Sequence, residues 1–260
     1  MIRIVNPNSF INGLKKRGEK FQIVSTTLTK RILWNGKVYF YTSSSGLKPI
    51  ELGLIRQVKN HIVKNDIASR CNRKSIQYIN RGILANGEYK KDLYEIDLNK
   101  AYWHLSYKRQ WISKETYLKG LDESKYSKKC RLIALGNLAK MKTVLTFNGK
   151  TFEKPILEKS PTENIFFKVS KDVDAIMNKC KVIAGPNYLF YWVDAIFVRG
   201  EKTKNEICEF LTEYGYEHKA IKVTKILKKD GFIKVWDLEH KKARPFIFDK
   251  LRNINLKDIY

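Results

Sequence analysis

Residues 94–103 read YEIDLNKAYW, and the use made of Asp97 decides the fold. The carboxylate closes the run Leu93-Tyr94-Glu95-Ile96, which reads as a strand, and the aromatic Tyr102 follows five residues later. Two uses compete. Asp is a common helix N-cap, and Leu98-Asn99-Lys100 would then open a helix on it. Alternatively, the carboxylate ends a strand and holds a cation. A second anomaly is Asp194, set inside YLFYWVDAIFV at 188–198. A carboxylate is costly to bury in such a run unless it is paired or bound to a cation. A hairpin that presents Asp194 beside the strand ending at Asp97 would bring two carboxylates together at a sheet edge. Two hard oxygen ligands completed by substrate phosphates are the usual way to hold Mg²⁺ (or Mn²⁺). A pair of such ions serves phosphoryl transfer.

Working outward, the pattern gives a strand at 92–97 and a helix at about 99–109. Two helices at 113–120 and 125–143 are separated by the polar break 121–124. A strand is expected at 165–169, helices at 171–180 and 203–214, and strands at 219–227 and 230–237. This is an α+β layout, with helices packed on one antiparallel sheet. Upstream, 21–42 reads as strands around an Asn35-Gly36 hairpin turn, 43–46 as a loop, and 48–64 as a helix with Pro near its start. Residues 65–90 are basic and polar, with a turn at Asn86-Gly87. Residues 1–90 are therefore read as a small α/β region, nucleic-acid-contacting or structural. Residues 91–237 form the main body and 238–260 a C-terminal extension.

Charge narrows the partner. There are 51 Lys and Arg against 26 Asp and Glu, a net of +25 spread along 260 residues. Such a field favours a polyanion, and the 14 Tyr and 13 Phe offer stacking platforms for bases. No apolar run reaches membrane-spanning length and no basic amphipathic helix stands out, so no membrane partner is expected. The four cysteines form no CxxC pair and read as reduced structural thiols of a cytoplasmic protein, not a zinc site.

At this point the residues carry a resemblance. DLNKAYW at 97–103 resembles the first palm motif of B-family DNA polymerases, in the version of the protein-primed viral and plasmid enzymes. YWVDAIFV at 191–198 resembles the third motif, RLIALGNLAK at 131–140 the fingers-helix motif, and KVW at 234–236 the later Lys-x-Tyr motif, all in the family's order. The resemblance covers roughly 92–237. It implies a polymerase-type palm, an antiparallel sheet with helices on one face, with short helical fingers. Asp97 and Asp194 would be catalytic and bind the metals, and the Leu98 carbonyl would complete one shell. Tyr102 would lie under the sugar of the incoming dNTP. Arg131 would grip its triphosphate, with Lys119 and Lys140 as further candidates, and Lys234 would contact the primer. DNA as primer and template, dNTPs and perhaps other replication proteins are the implied partners. A phage, virus or plasmid product acting in the host cytoplasm is the implied source.

The departures are specific. Trp192 stands at the third motif's first Asp, Leu135 and Leu138 at the fingers Asn and Tyr, Ala139 at its Gly, and Trp236 at the final Tyr. No proofreading exonuclease and no ordinary thumb are expected. Two other functions are therefore weighed: a non-catalytic nucleic-acid-binding protein on a decayed palm, and a metal-dependent nuclease built on Glu95, Asp97 and Asp194. Each basic candidate also has an ordinary use, as a solvated helix charge or, for Lys234, as a guard on a strand edge.

Overall fold

The computed structural model describes residues 2–25, 29–42, 47–71, 84–139, 142–240 and 243–247. The loop expected at 43–46, and Lys140, lie outside the described residues. The elements in chain order are β1 (Ile2–Arg3), α1 (Pro7–Lys16), β2 (Phe21–Ser25), β3 (Thr29–Trp34), β4 (Lys37–Thr42) and α2 (Pro49–Lys64). They continue with β5 (Gly87–Tyr89), β6 (Leu93–Leu98), α3 (Ala101–Lys108), α4 (Lys114–Leu121), α5 (Lys128–Gly136), β7 (Lys142–Phe147) and β8 (Ile156–Glu158). The last are α6 (Glu163–Ala184), β9 (Tyr188–Trp192), β10 (Ala195–Arg199), α7 (Glu201–Glu213), β11 (His218–Lys229), β12 (Phe232–Asp237) and β13 (Arg244–Ile247). The fold is α+β, as the sequence indicated.

The chain forms two compact units that interleave in sequence: Met1–Lys74 with Ser106–Lys168, and Ser75–Leu105 with Val169–Tyr260. Sequence pattern marks boundaries at 90 and 237 and carries no local signal of this interleaving.

In the first unit the strands run β1-β4-β3-β2-β7-β8, with β1 parallel to β4 and the others antiparallel. The β3–β4 hairpin turns on Asn35 and Gly36, both at positive φ (46° and 68°), as a two-residue connection requires. One sheet face packs with α1 around Leu14, Phe21, Ile23, Ile32, Tyr39 and Phe147. Helix α2 buries Leu54, Val58 and Ile62, spaced four residues apart. The Glu51 carboxylate is buried in the first turn of α2. It accepts from the Lys48 N–H (2.7 Å) and from the N–H (2.9 Å) and hydroxyl (2.5 Å) of Ser127, the N-cap of α5. Burial alone would raise the Glu51 pKa, but these hydrogen bonds outweigh it and hold the carboxyl below its usual range. One carboxylate thus ties two helix starts together.

Two sequence expectations fail. The helix expected over 125–143 ends at Gly136 with a 3-10 turn at 137–139, and 142–147 is strand β7, paired with β2. Its alternation Lys-Thr-Val-Leu-Thr-Phe is rich in residues that suit a sheet. The strand expected at 165–169 is instead the start of α6, which runs unbroken to Ala184. Ile165, Val169, Val173, Ile176, Met177, Cys180 and Ala184 are all buried at helical spacing, which the short apolar run at 165–169 did not reveal.

The second unit is built on an antiparallel sheet ordered β13-β12-β11-β6-β10-β9, with β5 also paired to β11. One face carries Tyr94, Ile96, Ile196 and Tyr191. Helix α7 packs there, with Lys204 Nζ 5.2 Å from the Tyr94 ring centroid. Helix α6 reaches the same face through Asp174, which accepts from the Tyr191 hydroxyl at 2.5 Å. The opposite face carries Leu93, Glu95, Asp97, Ala195, Phe197 and Val223. Across it the Phe246 ring of β13 lies 5.5 Å from Trp192 and 6.0 Å from Phe190 on β9. Since β13 and β9 are opposite ends of the strand order, the sheet curls toward a half-barrel around an aromatic filling.

Candidate active site

Strand β6 lies between β10 and β11. Asp97 pairs with Ala195 on one side and with Lys219 on the other. The Leu98 N–H donates to the Asp194 carbonyl at 3.0 Å. Asp97 and Asp194 therefore occupy adjacent backbone positions at one end of two neighbouring strands, at the rim of the curled sheet. Asp97 is a strand residue, and α3 begins only at Ala101, so Asp97 does not cap that helix. Leu98 follows it as the last residue of β6, with its side chain buried on the helix-covered face. Tyr102 is half-buried on the first turn of α3.

The turn that presents Asp194 is strained. Trp192 pairs with Ala195, leaving Val193 and Asp194 as a two-residue hairpin loop. Val193 has φ 56°, a left-handed conformation that is an outlier for a β-branched residue. Lys100, between β6 and α3, is likewise at φ 53°. Strained backbone of this kind clusters at functional sites. Left-handed backbone costs roughly 1–2 kcal/mol outside Gly, and Gly loses about 0.5–1 kcal/mol more entropy on folding. Val193→Gly is therefore expected to stabilise the protein by about 0.5 kcal/mol. A urea midpoint at or below that of the parent would show that the turn holds no strain.

Among the described residues no three His, Cys, Asp or Glu side chains converge. The oxygen donors at this rim that the sequence singles out are the carboxylates of Asp97 and Asp194 and the Leu98 carbonyl. Such a set suits Mg²⁺, which keeps its other positions for water and phosphate oxygens.

Glu95 shares the face of Asp97 but is committed elsewhere. It is 4 % exposed, and Arg244 of β13 grips it with both terminal nitrogens, Nη1 at 3.0 Å and Nη2 closer still. The same guanidinium reaches Asp237 Oδ2 from Nε (3.1 Å) and Nη2 (2.8 Å). Asp237 Oδ1 accepts from the backbone N–H groups of Glu239 and His240, both at 2.9 Å, and lies 2.8 Å from His240 Nδ1. Burial raises the Asp237 pKa, but the His240 and backbone hydrogen bonds and the charge of Arg244 more than reverse it, leaving the carboxyl below its usual range.

Of the remaining candidates, Lys234 belongs to the same unit as this rim, and Arg131 and Lys119 belong to the first unit. Lys234 leaves the sheet from the opposite face, because Asp237, Val235 and Ile233 share the face of Val223 and Glu95. Its Nζ lies 5.5 Å from the Phe232 ring centroid. Arg131 is only 5 % exposed. It donates to the Gly120 carbonyl (2.8 Å) and to Glu123 (2.9 Å), holding α4 to α5 within the first unit. Lys119 pairs with Glu115 one turn away at 2.5 Å. Trp192, at the motif position of an Asp, packs on Phe246.

Sequence reading missed Lys219 and Arg244. Lys219 is marked only by strand register, and Arg244 only by contacts that close the curled sheet. Among the described residues no helix is long and apolar enough to cross a membrane. Comparison of the chain with models of known protein families, with curated proteins and with solved structures finds no match.

Proposed function

We propose that this chain is a small nucleotidyltransferase that extends a primer with deoxynucleotides on a palm-like sheet. The observation that carries the reading is the register setting Asp97 opposite Ala195 and Leu98 against Asp194. Asp97, Asp194 and the Leu98 carbonyl would hold Mg²⁺, which when bound neutralises charge on the oxygens that attack and leave the α-phosphate. Tyr102 would form the floor under the sugar and bar a 2′-hydroxyl. The net charge of +25 draws the nucleic acid to the protein. The test is extension of a 5′-labelled primer with and without template, with each dNTP or rNTP and with Mg²⁺ or Mn²⁺. Metal-dependent extension supports the reading; none under any condition removes it.

A second reading, a non-catalytic nucleic-acid-binding protein, is favoured by one feature. Phe246 and Arg244 occupy the sheet face on which a primer terminus would lie. It expects salt-sensitive DNA binding unchanged by Mg²⁺ or dNTP. The nuclease reading needs Glu95 as a ligand, and Glu95 is held by Arg244.

A further inference from the structure

We propose that Lys219 is the cation that receives the phosphates of a nucleoside triphosphate beside Asp97, and that Glu239 occupies it until the triphosphate arrives. The inference rests on the nucleotidyltransferase reading and supplies the phosphate-binding group that reading lacks. Arg131 is buried in contacts of its own, and Lys234 leaves the other face of the sheet.

Lys219 is fixed by register. It pairs directly with Asp97 across β6–β11, so both side chains leave the same face at the same rim. It stands on a strand held by β6, a firmer platform than a loop. Its Nζ lies 2.6 Å from Glu239, and the two side chains are 55 % and 44 % exposed. An ion pair this exposed is weakly held and exchangeable. A triphosphate oxygen presents the ammonium with the same kind of acceptor as the carboxylate, with more negative charge behind it. The carboxylate's position is itself built. Asp237, gripped by Arg244, accepts the backbone N–H of Glu239 and so fixes the turn that carries it. The arrangement is a cation next to the catalytic carboxylate, covered by an internal anion on a braced turn.

The test is calorimetric binding of dATP, and separately of inorganic tripolyphosphate, at low salt with Mg²⁺. The parent is compared with Lys219→Met, Lys219→Arg and Glu239→Gln, and thermal midpoints confirm that each variant is folded. Lys219→Met is expected to weaken both ligands about tenfold, as loss of a charge-assisted contact does. Glu239→Gln should tighten both about threefold by removing the competitor, and Lys219→Arg should keep affinity within about threefold of the parent. Unchanged binding in Lys219→Met, weaker binding in Glu239→Gln, or no binding by the parent would overturn the inference. Primer extension separates it from the reading it rests on. Full extension by Lys219→Met sinks the inference and leaves the nucleotidyltransferase standing. A parent that binds both ligands through Lys219 yet never extends a primer keeps the inference and removes the polymerase.

Discussion

Asp194→Asn and Asp97→Asn are each expected to lower the rate of primer extension by at least ~10³-fold, about 4 kcal/mol of transition-state stabilisation. Asn keeps the shape of the side chain and removes the charge. At a rim where two carboxylates are the proposed metal ligands, losing one leaves too little charge to hold a divalent ion against the phosphates. The melting temperature is the second readout, because an aspartate whose role is structural would lose stability on replacement. Salt-dependent DNA binding should be retained, since the net charge of +25 hardly changes. The decisive result is the pair of readouts. Extension at the parent rate in either variant rejects the site, and a large fall in melting temperature recasts that aspartate as structural.

That pair was legible because period-2 alternation locates a strand end and because a carboxylate inside an apolar run demands a reason. The Asn35-Gly36 turn and the Pro-led helix α2 were legible for similarly local reasons. What local pattern cannot supply is absolute register. From the β11–β12 turn, Lys229 pairs with Phe232 and Leu227 with Lys234. Counting on without interruption would put Lys234 on the face of Val223, and hence of Asp97. A bulge between Val223 and Lys225 inserts one residue, so Val223 pairs with Asp237 and Lys234 is turned to the other face. The Lys-x-Trp spacing fixes how Lys234 and Trp236 relate to each other and says nothing of which face they share. The contacts of Arg131 are hidden from local pattern for another reason. Helical spacing does not distinguish a cation that faces solvent from one that folds back onto the Gly120 carbonyl.

Replacing Arg244 by Met is expected to cost about 3 kcal/mol of stability at pH near 7, one of the larger losses available to a single substitution here. The reason is what the guanidinium leaves behind. Glu95 and Asp237 have side chains 6 % and 0 % exposed, and both would become buried carboxylates without their cation. Breaking such a pair costs roughly 3–5 kcal/mol. Arg244 is itself 27 % exposed, so water can enter when it is removed, which puts the loss at the low end. The pH dependence separates this mechanism from simple loss of packing. The Asp237 carboxyl lies below its usual range in the folded protein. Its contribution is therefore fully present above the unfolded carboxylate range, about pH 4, and is lost as pH falls through the lower folded value. In Arg244→Met, Asp237 keeps its hydrogen bonds from His240 and from the Glu239 and His240 N–H groups but loses the charge of the guanidinium, so its carboxyl is held down less than in the parent. Acidification then weakens the parent more than the variant. The gap between their urea-unfolding free energies should narrow steadily from pH about 7 to about 3. A gap that stays constant over that range would mean that Arg244 acts through its packing over the Phe246 ring, 5.9 Å from the guanidinium carbon, and not through its ion pairs.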